Sequence, residues 1–198
     1  MPNQTLHIVL VPGLDDGRYN LLNTLSRFWS RADVKLHVHS VGWRDSGSFE
    51  QKLEGLLSFI DELLLTNEPV ALIGTSAGGS MVLNAYLRRP NLLGVINVCG
   101  RLHVGHDVSP TLEEAAWTSA AFDSSVRACD QDQHKLSNRL RKRVLILQPW
   151  RDPVVPLVTM LLEGATVKRI SGFAHVDGIV FALLFRRAAI LRFLRAHH

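Results

Sequence analysis

The stretch VALIGTSAG, at positions 70–78, decides the fold. It opens on Val70–Ile73, an apolar run typical of a buried strand, and the apolar spacing over Ala77–Leu87 predicts a helix. Between the two, Gly74–Gly78 matches the pattern G-x-S-x-G, which occurs where a strand turns sharply into a helix. Such a turn needs glycine on both sides of the serine, because side chains there would collide with neighbouring backbone. We therefore expect the Ser76 hydroxyl to project above a sheet, beside the N–H groups of a helix start.

The alternation of strand and helix continues on both sides of this stretch. Short β-branched or alternating runs predict strands, and apolar residues at helical spacing predict helices. We expect strands at Leu6–Val11, Val34–Val41, Val70–Ile73, Leu92–Val98, Val144–Leu147 and Thr166–Ile170, and helices over residues 21–29, Ser48–Thr66, Ala77–Leu87, Pro156–Leu162 and Asp177–Leu194, the last with Asp177 as its N-cap. Such alternation favours parallel strands joined by crossover helices. The sequence thus predicts an α/β protein, a three-layer α/β/α sandwich around a mostly parallel sheet of about six strands, with Val34–Val41 at its margin.

The segment Arg101–Arg141 interrupts this alternation, because it is polar and lacks a strand pattern. It contains short helical pieces such as Thr111–Ala121. We interpret the segment as a cap-like insertion, at about residues 101–141, in a single domain that spans residues 1–198.

Composition argues against several classes of protein. Apolar residues make up 46% and charged residues 20% of the chain, so disorder and fibrous repeats are disfavoured. Cys99 and Cys129 alone cannot make a disulfide scaffold, which fits a reducing compartment. The N-terminus lacks the positive cluster of a secretory signal, and no apolar stretch reaches the ~18 residues of a membrane span. We therefore expect a cytoplasmic protein without a membrane span.

The net charge of +4 invites a nucleic-acid interpretation. However, the densest basic run, Arg139–Arg143, and the arginines of the C-terminal tail lack the interleaved aromatic residues of a single-strand binder. A solvated surface explains them better, so we expect no nucleic-acid partner. The sequence does not fix the oligomeric state.

Ser76 could act as a nucleophile only if other side chains activate its hydroxyl. A serine hydroxyl reacts poorly at neutral pH and needs a histidine base with a carboxylate to orient it. Asp152 stands directly after the strand Val144–Leu147, and His175 follows the last strand in a glycine-containing approach. The chain order Ser76, Asp152, His175 is that of hydrolases with a G-x-S-x-G turn. Asp107, after the preceding strand, is the alternative carboxylate.

With these motifs the sequence resembles an α/β-hydrolase over nearly its whole length. Three motifs in order carry the resemblance: Gly74–Gly78, Trp150–Pro156 and Gly172–Val176. The resemblance implies that Ser76 is the nucleophile, that His175 is general base and then general acid, and that Asp152 is the orienting carboxylate.

The resemblance also implies an oxyanion hole. One donor is the backbone N–H of Ala77, and the other is an N–H from the loop after the first strand, either Leu14 or Asp15. The choice between these two stays open because Pro12-Gly13 stand where the family usually has a His-Gly pair. The family's leading hairpin is missing, and the insertion falls where the family commonly places a cap. A cap this small implies a shallow or partly open pocket.

Candidate pocket residues come from the insertion and from the first loop. In this interpretation Trp117 and Phe122, with Leu102 and Val104, face the substrate opposite Tyr19. The alternative is that these side chains only pack the insertion onto the sheet.

The remaining histidines and cysteines favour structural roles. His37 with His39, and the loop His103–Asp107, lack the thiolate pairs or helical spacing that are typical of a metal site. Cys99 either lines the pocket or packs as a small apolar side chain, which is the commoner role of a free cysteine.

The function we expect is that of a serine hydrolase, carboxylesterase- or lipase-like, that cleaves a small-molecule carboxylic ester through an acyl-enzyme. This chemistry requires no metal or organic cofactor. Two alternatives stay open: a thioesterase or acyltransferase that uses the same residues, and a non-catalytic α/β-hydrolase-like receptor or scaffold.

Overall fold

The computed structural model describes residues 4–14, 24, 26–31, 33–172 and 174–196. The strands are β1 (Leu6–Val11), β2 (Val34–Val38), β3 (Val70–Thr75), β4 (Val95–Val98), β5 (Val144–Pro149) and β6 (Thr166–Ile170). The helices are α1 (Phe49–Leu64), α2 (Gly78–Arg88), α3 (Leu112–Ala116), α4 (Ala120–Asp132), α5 (Asn138–Arg141), α6 (His175–Phe185) and α7 (Arg187–Arg195). Residues 24 and 26–29 are also helical, whereas residues 21–23 and 25 of the helix predicted over 21–29 lie outside the described residues.

The six strands form one sheet in the order β2-β1-β3-β4-β5-β6, and every pair is parallel. Strands β1, β3, β4 and β5 are buried throughout, whereas the outer strands β2 and β6 expose part of their residues. Fully buried parallel strands need helices on both faces, since each face must be shielded from water. The prediction of an α/β fold with about six mostly parallel strands, and with the second strand at the margin, is therefore confirmed.

Helices cover both faces of the sheet. Helices α1, α2 and α4 pack against one another, and α2 packs on the central strands. The helical residues 26–29 lie with α6, because the Trp29 indole N–H donates to the Leu183 carbonyl at 2.8 Å. Among the described residues, no helix is both long and apolar enough to cross a lipid bilayer.

The segment between β4 and β5 contains α3, α4 and α5 and no strand. Helix α4 is the crossover that two adjacent parallel strands require. A buried polar bridge joins it to α2: the Ser80 and Ser125 hydroxyls lie 2.8 Å apart, and the Asn84 amide donates to the carbonyls of both serines at 2.9 Å. Helix α4 is thus fixed to the main body of the protein.

Two predicted helices differ from those observed in the insertion and after Pro156. The predicted piece Thr111–Ala121 is wrong as one helix, because Ser119 breaks it and begins α4. The Ser119 hydroxyl donates to the Trp43 carbonyl at 2.6 Å and accepts from the Phe122 N–H at 3.1 Å, so a distant loop decides the break. The helix predicted over Pro156–Leu162 is only a 3-10 turn, Leu157–Met160.

The predicted final helix, Asp177–Leu194, is wrong in two respects. It begins at His175, after an extended Ala174, so Asp177 lies in the first turn and is not the N-cap. The helix also breaks at Arg186, which separates α6 from α7. The apolar spacing in the sequence continues through the break and does not predict it. The break directly follows the turn of α6 in which the Leu183 carbonyl accepts the Trp29 indole N–H. Strand boundaries differ less: β2 ends at Val38 and β4 begins at Val95.

Candidate active site

The strand order places the candidate site. The chain runs from β1 outward to β2 and then returns to β3 on the other side of β1, so the topology reverses between β1 and β3. Ligands of open α/β sheets bind outside the carboxyl ends of the strands at such a reversal. Ser76 directly follows β3, Asp152 follows β5, and His175 follows β6 as the first residue of α6.

The turn after β3 is tight enough to require its glycines. Ser76 has a left-handed backbone conformation, with φ of 51°, which costs a non-glycine residue energy. A Cβ on Gly74 would lie 2.3 Å from the carbonyl oxygen of Gly78, and a Cβ on Gly78 would lie 2.1 Å from that of Val11. The predicted need for glycine on both sides of Ser76 is confirmed. A third glycine, Gly13 after β1, approaches as closely, because a Cβ there would lie 2.7 Å from the Ser76 Cβ.

Ser76, His175 and Asp152 form one row of hydrogen bonds. The His175 Nε2 lies 2.8 Å from the Ser76 hydroxyl oxygen, and its Nδ1 lies 2.7 Å from the Asp152 Oδ2. Because an ionised carboxylate only accepts, the His175 Nδ1 carries the proton in this contact. The Nε2 of the neutral ring is then an acceptor for the Ser76 hydroxyl proton.

The Asp152 carboxylate is held by its own turn as well as by His175. Its Oδ1 accepts the backbone N–H groups of Val154 at 2.8 Å and Val155 at 2.9 Å. Burial by itself would raise the pKa of Asp152, but the hydrogen bond and charge of His175, with those two backbone N–H groups, lower the pKa overall. The carboxylate is therefore ionised at neutral pH. The alternative carboxylate, Asp107, is exposed, and it is Asp152 that contacts His175.

The candidate oxyanion donors lie where two loops meet. Ala77 is buried and immediately precedes α2, at the positive end of that helix. The Ser76 N–H is already occupied, because it donates to the Val98 carbonyl at 3.0 Å. Leu14 lies in the turn after β1, one residue past Gly13. Asp15 and Tyr19, the other first-loop candidates, lie outside the described residues.

Asn97 of β4 lies behind the turn and was not predicted as a site residue. Its amide donates to the Gly100 carbonyl at 2.9 Å, and it is almost fully buried. A Cβ on either Gly79 or Gly100 would lie 2.2 Å from the Asn97 Oδ1. Asn97 therefore occupies the space that two glycines leave open beneath Ser76. The available sequence signal was one polar residue inside an apolar strand, VINV.

Cys99 is buried behind His175 and packs as an apolar side chain. Its sulfur would lie 3.3 Å from a Cβ on Gly178, in the first turn of α6. Burial and the negative charge of Asp152 raise the pKa of the Cys99 thiol, so the reactive thiolate form is disfavoured.

The predicted pocket residues from the insertion differ in how deeply they are buried. Phe122 is buried and packs edge-on against Trp43 with ring centroids 6.0 Å apart, and Leu102 is fully buried. Both fit the packing alternative. Trp117 is 84% exposed and Val104 is partly buried. The Trp43 indole N–H donates to the Pro12 carbonyl at 3.0 Å, so Phe122 connects to the loop beside Ser76 through Trp43.

Two of the histidines considered for metal binding, His37 and His103, have polar protein partners. His103 contacts Asp130 at 2.8 Å through Nδ1 and the Leu161 carbonyl at 2.6 Å through Nε2. The His37 Nε2 lies 3.0 Å from the Nδ1 of His7. Within the described ranges, no group of three or more histidine, cysteine or acidic residues is placed to hold a metal ion.

No family model matches the sequence, and no curated protein is significantly similar to it. Solved structures, in contrast, match along almost the whole chain. A structure reported for the metagenome-derived lipolytic enzymes LipS and LipT is 14% identical, has a TM-score of 0.70, and is matched over 98% of this chain and 95% of its own. The monoacylglycerol lipase of Paleococcus ferrophilus is 20% identical, with a TM-score of 0.65 and coverage of 97% and 95%. Human thioesterase 2 is 12% identical, with a TM-score of 0.60 and coverage of 98% and 97%.

These similarities agree with the six-stranded parallel sheet and its flanking helices. At such low identity they bear on architecture and not on substrate. This chain has the α/β-hydrolase fold.

Proposed function

We propose that this chain is a serine hydrolase that cleaves a carboxylic ester through an acyl-enzyme on Ser76. The observation that carries the proposal is the unbroken row of hydrogen bonds from the Ser76 hydroxyl through His175 to Asp152. The row lies at the carboxyl edge of the sheet, where ligands of this architecture bind.

In the first half of the reaction the His175 Nε2 removes the Ser76 proton while the serine oxygen attacks the ester carbonyl carbon. The tetrahedral oxyanion is stabilised by the N–H of Ala77 and by a second N–H, from Leu14 or Asp15. The imidazolium of His175, stabilised by the ionised Asp152, then returns its proton to the departing alcohol.

In the second half, water attacks the acyl-enzyme carbonyl as His175 removes a proton from it. The second tetrahedral intermediate collapses, the C–O bond to Ser76 breaks, and the proton passes to the serine oxygen. No metal or organic cofactor takes part in this sequence.

We further propose that residues 1–198 are one domain and that the exposed part of segment 101–141, around Trp117, is a small cap beside an open site. Helix α4 is not part of this proposed cap, because the Ser80–Ser125 bridge fixes it to α2.

The similarity to human thioesterase 2 favours thioester cleavage as the second candidate function. The same serine, histidine and oxyanion donors would serve a thioester, because the leaving thiol needs less protonation than an alcohol. The third candidate is a receptor that binds a small molecule without repeated turnover.

Turnover of short p-nitrophenyl esters and matched thioesters tests the proposal. We expect wild type to release many equivalents of p-nitrophenol per protein. Ser76→Ala and His175→Ala should each lower turnover by up to about a million-fold. Exposed residues of the same types supply the controls, Ser46→Ala and His106→Ala, which should match wild type. One burst without further cycles would support the receptor, and equal activity of Ser76→Ala would refute the assignment.

A further inference from the structure

Exposed apolar side chains border the candidate site on the side of Asp152 and His175. Trp150 is 66% exposed, Val154 is 46% exposed and Val176 is 54% exposed. Each is within two residues of Asp152 or His175 in the chain. We call these three residues the rim.

Hydrogen bonds of the candidate site connect the chain segments that carry the rim residues. The Asp152 carboxylate binds the Val154 N–H on one side and His175, the neighbour of Val176, on the other. The first turn of α6 also lies against the end of β5, because a Cβ on Gly178 would lie 3.5 Å from the Pro149 Cβ. These contacts bring the backbone segments that carry the three rim residues to the same edge of the sheet.

Two arginines give this surface positive charge. The Arg169 guanidinium lies over the Trp150 ring at 5.7 Å and donates to the Pro149 carbonyl at 3.0 Å, so the two side chains stack. Arg151, between Trp150 and Asp152, is exposed. Among the described residues within two positions of the rim in the chain, Asp177 has an exposed carboxylate, whereas the Asp152 carboxylate is buried and bonded to His175. The chain as a whole carries a net charge of +4, which adds attraction toward an anionic surface.

We propose that the rim docks the protein on an anionic lipid surface. A tryptophan with one apolar face and a polar N–H suits the boundary between lipid and water, and arginines beside it can reach anionic headgroups. Three apolar side chains fall well short of the ~800 Å² per partner that a standard protein interface buries, whereas a fluid lipid surface requires no complementary shape. Lipid therefore fits this surface better than a folded partner.

Docking at the rim would bring lipid to the same edge of the sheet as Ser76. The substrate class that follows, esters of amphiphiles held in an anionic layer, rests on the proposed hydrolase function. The docking itself rests on the exposed residues alone, so the two are tested separately.

Vesicle sedimentation measures docking without turnover. All proteins carry Ser76→Ala, so that vesicle lipids are not consumed, and vesicles of phosphatidylcholine are compared with vesicles that also contain phosphatidylglycerol. We expect binding to the anionic vesicles that weakens as salt rises, and little binding to the neutral ones. Trp150→Ala should weaken binding at least tenfold, and Arg151→Gln by about fivefold.

Matched controls lie away from the rim. Phe185, 71% exposed, ends α6 about 15 Å along the helix from His175. Arg139 is an exposed residue of α5, which precedes the amino end of β5, whereas the rim lies beyond its carboxyl end. Phe185→Ala and Arg139→Gln should bind as the parent does, with unchanged circular dichroism in every variant.

Three results would overturn the proposal. They are a failure of the protein to bind the anionic vesicles, equal binding to both kinds of vesicle, and a loss of binding in Phe185→Ala as large as that in Trp150→Ala. So would binding to soluble polyglutamate but not to vesicles, which would indicate an acidic protein partner. Vesicle binding that persists while Ser76-dependent turnover is absent would overturn the hydrolase proposal and leave docking intact.

Discussion

At the scale of single residues, the site depends on which atoms can approach Ser76 and which cannot. Gly13 and Gly78 let two stretches of backbone come within distances that any side chain would prevent. The motif indicated Gly78, because G-x-S-x-G names it. Gly13 and Asn97 lie far from Ser76 in the sequence and approach it only in the folded protein. A local sequence pattern therefore does not contain their contacts.

A glycine exchange tests this close approach. Gly78→Ala would drive a Cβ into the Val11 carbonyl, so we expect the turn to shift, ester turnover to be lost and stability to fall. Gly55→Ala, in the middle of α1, is the control because a Cβ there meets nothing within 4 Å. Alanine should stabilise that helix by up to about 1 kcal/mol relative to glycine. Thermal melting and p-nitrophenyl ester turnover of both variants measure the difference, and equal behaviour would contradict the account.

The choice of carboxylate is a second test at this scale. Asp152→Asn would favour the wrong tautomer of His175, and in a serine–histidine–aspartate enzyme such a change lowers turnover by about ten-thousand-fold. Asp107→Asn should leave turnover near that of wild type, because Asp107 is exposed and Asp152 is the His175 partner. Comparison of kcat/KM for the two variants decides between the carboxylates. A larger loss in Asp107→Asn would reverse the assignment.

At the scale of elements, α4 is fixed to the helix that follows Ser76 by a buried polar bridge. Ser125→Ala removes the hydroxyl that meets Ser80, and we expect unfolding free energy to fall by about 1 kcal/mol or more. The neighbouring Ser124 is exposed, so Ser124→Ala should change stability by less than about 0.5 kcal/mol. Urea denaturation measures both values. Equal stability of the two variants would show that the bridge contributes nothing.

The edge strand β2 and the residue that follows it, His39, should make the fold sensitive to acid. Burial, then the charges of His7 and Lys35, lower the pKa of His37, and burial lowers the pKa of His39. His7 also binds Glu68, so this carboxylate offsets part of the positive charge beside His37. Because the folded pKa values lie below the ordinary 6.5, the unfolded chain takes up protons first as pH falls. The contribution is fully present above about pH 6.5 and is lost as pH falls toward the folded values.

Urea denaturation at pH 7.5 and at pH 5.5 measures this dependence. We expect wild type to be less stable at pH 5.5, and His37→Gln with His39→Gln to lose less stability over the same interval. His106→Gln, an exposed exchange of the same type, should follow wild type. A double variant that loses as much stability as wild type would rule out β2 as the source.

The order and type of the elements followed from periodicity, whereas several ends did not. Apolar spacing runs unbroken through Arg186, and the break there coincides with the Trp29 contact to Leu183 from the opposite end of the chain. Likewise Ser119 begins α4 while bound to Trp43 of a distant loop. Such ends are determined by tertiary contacts, which a local pattern does not contain.

At the scale of the whole molecule, sequence reasoning predicted a parallel sheet but not its strand order. The order comes from packing: β2 takes the outer place beside β1, and the chain then crosses back to add β3 on the other side. Ser76 follows β3 directly, so it lies at the carboxyl edge of the sheet beside that reversal. The sequence did indicate the three residues that meet there, because each follows a strand and parallel strands end at the same edge.

The central claim is that Ser76 is the nucleophile of this edge. Its most direct test is peptide mass spectrometry of the protein after reaction with a fluorophosphonate. We expect one adduct, on the Ser76 hydroxyl, that disappears when His175 is replaced by alanine. An adduct on another serine, or no adduct on a folded protein, would contradict it.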